Sequence, residues 1–132
     1  MSEQAIKILV ADDEDVVLEI MAHKIASQDY KVITARDGQE AWDKIVSDSP
    51  DIIVLDLNMP KMDGCAVLSQ LRGNPPQKRW QPVIIVSASR EIEDLRKGMD
   101  LQADHYLTKP CQMEDILKAI RLMLSLVPQH NT

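Results

Sequence analysis

The feature that most constrains this chain is an alternation of short, β-branched apolar runs with longer segments of helical periodicity. Runs centred on Ile8, Ile53 and Ile85 are continuous rather than alternating, as expected of parallel strands covered on both faces. The pattern predicts strands over Ile6–Ala11, Lys31–Ala35, Asp51–Leu55, Pro82–Ser87 and Ala103–Leu107. Between them, Leu18, Met21, Ala22 and Ile25 keep helical spacing, as do Met113, Ile116, Leu117, Ile120, Leu124 and Val127. Asp37 with Glu40 predicts a capping box opening the second helix. Asp63 is expected to cap the third, which Gly73 and Pro75-Pro76 stop. Ser89 is expected to cap a short fourth helix whose apolar stripe (Ile92, Leu95, Met99) is thin, so this helix should be held least firmly. Pro128 should end the last helix, leaving a frayed tail.

Five strand–helix units predict a (βα)5 α/β fold. Right-handed crossovers place helices on both faces of a five-stranded parallel sheet, a doubly wound sandwich. The flavodoxin-like strand order 2-1-3-4-5 is expected, with a crevice at the carboxyl ends of strands 1 and 3. At 132 residues the chain fits one domain, residues 1–132, with its core over about 6–127. The segment GNPPQKRWQP is a longer polar loop, expected to be sequence drift rather than a partner surface.

The formal net charge of −6 argues against binding of nucleic acid or an anionic membrane by this domain, and favours a basic partner or a metal cation. The amino terminus lacks the basic region of a signal peptide, and no stretch approaches the ~20 apolar residues that span a bilayer. Cys65 and Cys111 are too few for a disulfide framework and lie in no C-x-x-C motif, so reduced thiols in a cytoplasmic protein are expected.

The polar residues that end the strands carry the chemistry. Strand 1 runs into Asp12-Asp13, strand 3 into Asp56, strand 4 into Ser87, and strand 5 into Thr108-Lys109-Pro110. Each has an ordinary alternative: acids favour a helix N-terminus, serines occupy turns, and lysines are solvated. Together they are harder to dismiss, because two carboxylates ~4 Å apart repel by about 4 kcal/mol at an effective dielectric of 20. Lys109 offsets one charge, and a divalent cation would offset two more. Mg²⁺ (or Mn²⁺) suits an all-oxygen site of carboxylates and phosphate. His23, His105 and His130 lie elsewhere, so zinc is not indicated.

The ordered motifs DD, LDLNMPKMDG, VIIVSAS and DHYLTKP resemble the receiver domain of two-component response regulators, over Ile6 to about Val127. The resemblance implies that Asp56 accepts a phosphoryl group from a phosphohistidine on a sensor histidine kinase or a histidine phosphotransfer protein. It implies that Asp13 binds Mg²⁺ directly and Asp12 through water, with Asp56 and the backbone carbonyl of Asn58 as further ligands. Lys109 would pair with Asp56 and then with the phosphoryl oxygens, next to a cis Lys109-Pro110 peptide. Ser87 would swing toward the phosphoryl group, and Tyr106 would turn inward. The face of helix 4, strand 5 and helix 5 would then control a downstream effector protein or a C-terminal output domain. Such a domain is a regulatory phosphoacceptor rather than an enzyme, promoting only its own phosphotransfer and dephosphorylation. Small Ala88 and Ser89 would admit water, so that self-hydrolysis limits the acyl phosphate's lifetime.

Against the family pattern, Leu101-Gln102 stand where many members have glycine, and Cys65 replaces a larger apolar residue. The alternatives are a phosphorylation-independent docking module, an aspartyl-phosphate hydrolase, or a flavin binder. The docking module would be expected to lack one of the site residues, all of which are present. The hydrolase would carry D-x-D after strand 1, and the flavin binder a phosphate loop where this chain has four acids.

Overall fold

The computed structural model describes residues 5–88, 90–93 and 103–127. Along the chain run β1 (Lys7–Ala11), α1 (Asp15–Ala26), β2 (Lys31–Ala35), α2 (Gly38–Asp48), β3 (Ile52–Leu55), α3 (Gly64–Gly73) and β4 (Val83–Ala88). Helical residues 90–93 open α4, and β5 (His105–Lys109) and α5 (Met113–Leu126) complete the described residues. All strand pairings are parallel, and the order is β2-β1-β3-β4-β5, as the expected doubly wound fold requires.

The two-residue period of the strands sorts their side chains into two cores. Leu9, Ile53 and Ile85 point to one face, under Ala41 and Ile45 of α2, Val67, Leu68 and Leu71 of α3, and Ile92 of α4. Ile8, Val10, Ile52, Val54, Ile84 and Val86 point to the other, under Leu18, Met21 and Ile25 of α1 and Ile116, Leu117 and Ile120 of α5. Both faces of β3 and most of β4 are thus buried, which explains their unbroken apolar runs. Each buried Ile or Leu contributes about 1.5–3 kcal/mol relative to exposure.

Two local expectations are corrected, and one cap is new. Strand 5 begins at His105 and runs through Lys109, later than the sequence suggests, because it pairs Ser87 with Thr108 and Ala88 with Lys109. Lys109 is therefore the last residue of a strand, held by the ladder. Asp37 caps α2 by accepting from the Glu40 N–H at 2.8 Å, but the box is not reciprocal. Glu40 accepts instead from the Arg36 N–H at 2.8 Å, one residue earlier, while pairing with Lys44. The cap of α5 was not anticipated: Asp115 accepts from the Gln112 N–H at 3.3 Å.

Asp63 caps α3 through the Ala66 N–H at 2.9 Å. The polar loop after α3 is tied to the amino end of the sheet. Arg79 pairs with Asp51 and donates to the Ser49 carbonyl at 2.7 Å, and Gln81 Nε2 donates to the Pro50 carbonyl at 2.8 Å. Ser89, Leu95, Met99, Leu101, Gln102, Pro128 and His130 lie outside the described residues. Among those described, no helix is long and apolar enough to cross a membrane.

Candidate functional site

The backbone brings the two buried acids side by side. Ala11 and Leu55 are register partners at the ends of β1 and β3. One residue further, the Asp56 N–H donates to the Ala11 carbonyl at 3.0 Å and the Asp12 N–H to the Ala35 carbonyl at 3.1 Å. Asp12 is fully buried and Asp56 is 6% exposed, whereas Asp13 faces solvent. Carboxylate oxygens of Asp12, Asp13 and Asp56 all lie within 4.8 Å of one another. Of the four acids in DDED, only Asp12 turns inward. Its Oδ1 accepts from the Glu14 N–H at 2.9 Å, just ahead of α1.

Lys109 reaches these acids from β5. Its Nζ lies 2.8 Å from Asp12 Oδ2 and 3.0 Å from Asp56 Oδ2. Burial alone would pull the ammonium's pKa down, but its hydrogen bonds to the two aspartates outweigh this and hold it well above the ordinary lysine value. Burial pushes the Asp12 carboxyl up, and Lys109 and the Glu14 N–H only partly offset that. One ammonium therefore leaves the cluster short of positive charge.

Asp56 is further held by the Asn58 N–H at 3.1 Å and the Ser87 hydroxyl at 2.7 Å, both on Oδ1. Ser87 is fully buried, with its hydroxyl directed at the unmodified carboxylate. Its oxygen also lies 2.7 Å from Glu91 Oε1 in the first described turn of α4. Glu91 was missed in the sequence. Its only signal there is an acid placed four residues after a strand-ending serine, a spacing that one helical turn closes. The Tyr106 ring, in register with Ile85, packs partly buried against the core beneath α2 and α3. Cys65, partly buried, packs against the same core. The Lys109-Pro110 peptide is cis.

The turn after Asp56 depends on close backbone approach. The Gly64 N–H donates to the Leu57 carbonyl at 2.9 Å. A Cβ on Gly64 would stand 2.4 Å from the Asp56 carbonyl oxygen, so α3 can begin here only on a glycine. The left-handed position of this turn falls instead on Lys61, with φ of 69°.

The donor set fits a hard cation. The clustered ligand atoms are all carboxylate oxygens, two of the three groups are buried, and their charge exceeds that of Lys109. Among the described residues neither a histidine nor a cysteine joins this cluster. Chemically, the site presents a carboxylate at a strand end, oriented by a hydroxyl, an amide and an ammonium, with two further acids at its side.

A family model for the response regulator receiver domain matches residues 8–121. The chain is 39% identical over 118 residues to the alkaline phosphatase synthesis transcriptional regulatory protein PhoP of Bacillus subtilis, covering 89% of this chain and 48% of that protein. It is 38% identical over 120 residues to response regulator MprA of Mycobacterium tuberculosis, covering 91% and 51% respectively. The chain thus spans about half the length of these curated relatives. Among solved structures, the receiver domain of the Francisella response regulator 1452 superposes with a TM-score of 0.81 at 32% identity, covering 91% of this chain and 97% of that one. Chemotaxis protein CheY4 of Vibrio cholerae gives 0.80 at 28% identity, covering 90% and 98%.

Proposed function

This chain belongs to the response regulator receiver domain family, and from that premise we propose that Asp56 is its phosphoacceptor, charged from a phosphohistidine on a sensor histidine kinase or histidine phosphotransfer protein. The observation that carries this reading is the convergence on one buried carboxylate of the Ser87 hydroxyl, the Asn58 N–H and the Lys109 ammonium, beside Asp12 and Asp13.

An ionised carboxylate needs no general base to act as a nucleophile. An Asp56 oxygen bonds to phosphorus as the P–N bond of the donor breaks, and the electron pair returns to the imidazole nitrogen. Lys109 holds Asp56 in place beforehand and pairs with a phosphoryl oxygen afterwards. Ser87 donates its proton to another phosphoryl oxygen. Asp12, Asp13, Asp56 and the Asn58 carbonyl would hold Mg²⁺ or Mn²⁺, which when bound supplies the positive charge that phosphoryl transfer requires.

The product is an acyl phosphate that water hydrolyses, so the domain acts as a transient switch, in keeping with its regulatory family. A few charge-assisted hydrogen bonds, each worth about 1.5–3 kcal/mol, are enough to shift a two-state equilibrium. The readout is the face of α4, β5 and α5, with Tyr106 following Ser87. It acts on an effector protein or on an output domain of the kind the length of the relatives leaves room for. Such a relay belongs in the cytoplasm.

Intact-mass measurement after incubation with acetyl phosphate and Mg²⁺ tests this. The expected result is gain of a single phosphoryl group, lost in Asp56→Asn and in the presence of EDTA. Steady phosphate turnover with no adduct would instead indicate a hydrolase, and an inert protein a docking module.

A further inference from the structure

We propose that Glu91 is a positioning residue that competes for the single proton of the Ser87 hydroxyl and so opposes its capture by a phosphoryl group on Asp56. This rests on the reading of Asp56 as phosphoacceptor. Ser87 Oγ lies 2.7 Å from Asp56 Oδ1 and 2.7 Å from Glu91 Oε1. Both separations are in the range of a hydroxyl donating to a carboxylate. A serine hydroxyl has one proton, and ionised carboxylates only accept, so the two acids cannot both be served at once.

Asp56 is the better provided of the two. It keeps the Asn58 N–H at 3.1 Å and Lys109 at 3.0 Å whichever way the hydroxyl turns. Glu91 otherwise accepts only the long 3.3 Å bond from the Ala88 N–H, among the described contacts. Its carboxylate therefore links the end of β4 to the first turn of α4 through Ser87 and Ala88. The neighbouring Ile92 anchors that turn in the core.

A phosphoryl group on Asp56 changes the contest. It carries more negative charge than the carboxylate and presents three strong acceptor oxygens. It draws the Ser87 proton toward itself and leaves Glu91 without it. The glutamate must give up Ser87 for the phosphorylated state to form, which ties occupancy of Asp56 to the start of α4. Glu91 is therefore an internal brake on the switch.

The test is a double-mutant cycle on affinity for beryllofluoride, a phosphoryl mimic, followed by ¹⁹F NMR with Mg²⁺ in wild type, Glu91→Gln, Glu91→Ala, Ser87→Ala and the double variants. Glu91→Gln retains length and packing, but its amide N–H can donate to Ser87 Oγ and so frees the hydroxyl proton. Both Glu91 variants are expected to tighten binding roughly 5–10-fold, the worth of one competing hydrogen bond. In the Ser87→Ala background the same substitutions should change affinity by less than about twofold. A Glu91→Gln protein that binds like wild type, or an equal gain without Ser87, overturns the brake. A wild-type protein that binds no beryllofluoride overturns the phosphoacceptor reading and the brake with it, whereas binding with unaltered variants removes the brake alone.

Discussion

Lys109 Nζ stands 3.0 Å from Asp56 Oδ2, joining residues 53 positions apart across the carboxyl edge of the sheet. The contact exists because β5 pairs with β4 through Lys109 itself, so the ladder aims the base of the side chain. Two nearly buried acids share this one ammonium.

Removal of that ammonium should therefore be costly. Lys109→Met leaves Asp12 and Asp56 facing each other unscreened, and should lose about 2–4 kcal/mol of stability in urea titrations with EDTA. Added Mg²⁺ should restore part of the loss, since it supplies charge to the same acids.

Removing an acid should do the opposite. Burial raises the Asp12 carboxyl above its ordinary value of 3.8, so the folded state binds a proton more readily than the unfolded chain. Stability from this group is thus greatest below the unfolded pKa and falls as pH rises through the folded one. Asp12→Asn should raise the melting temperature at neutral pH in EDTA, with the gain shrinking as the pH falls toward the unfolded value of 3.8. The same variant should respond less to Mg²⁺ than wild type.

The cap of α2 has the reverse pH signature. Asp37 is held below its usual value by the Glu40 N–H, and Glu40 below its own by the Arg36 N–H. Folded values depressed in this way give stability that is present above the unfolded pKa values, 3.8 and 4.5, and lost as pH falls through the folded ones. Asp37→Ala should cost about 1 kcal/mol at neutral pH and progressively less in acid, seen in thermal melts across pH.

Gly64 links the fold to the site. Its α-hydrogen faces the Asp56 backbone, where a methyl would fall 2.4 Å from the carbonyl oxygen. Gly64→Ala should cost about 1–3 kcal/mol and also lower phosphoryl uptake from acetyl phosphate, because the strain is relieved only by moving Asp56 or α3. A comparable loss of stability from Leu71→Ala, remote in the α3 core, should lower uptake less.

What the sequence determined by itself was the architecture and the roster of the acidic site. Apolar periodicity is a local property, and it sufficed to separate strands from helices and to require a sheet covered on both sides. Asp12, Asp13, Asp56, Ser87 and Lys109 could be named because each follows or ends an apolar run, and parallel topology sends all such ends to one edge.

Only the tertiary structure decided how those residues are shared. Which of four consecutive acids turns inward depends on the Ala35 carbonyl and the Glu14 N–H, neither of which a spacing rule sees. Strand 5 extends to Lys109 because of its pairing with β4, although the apolar run stops at Leu107. Glu40 accepts from the Arg36 N–H rather than completing the expected reciprocal cap. Above all, one hydroxyl stands between Asp56 and Glu91 because a strand end and a helix start meet there at hydrogen-bond distance. Hydrogen bonds are sensitive to tenths of an ångström and to direction, and sequence spacing carries neither.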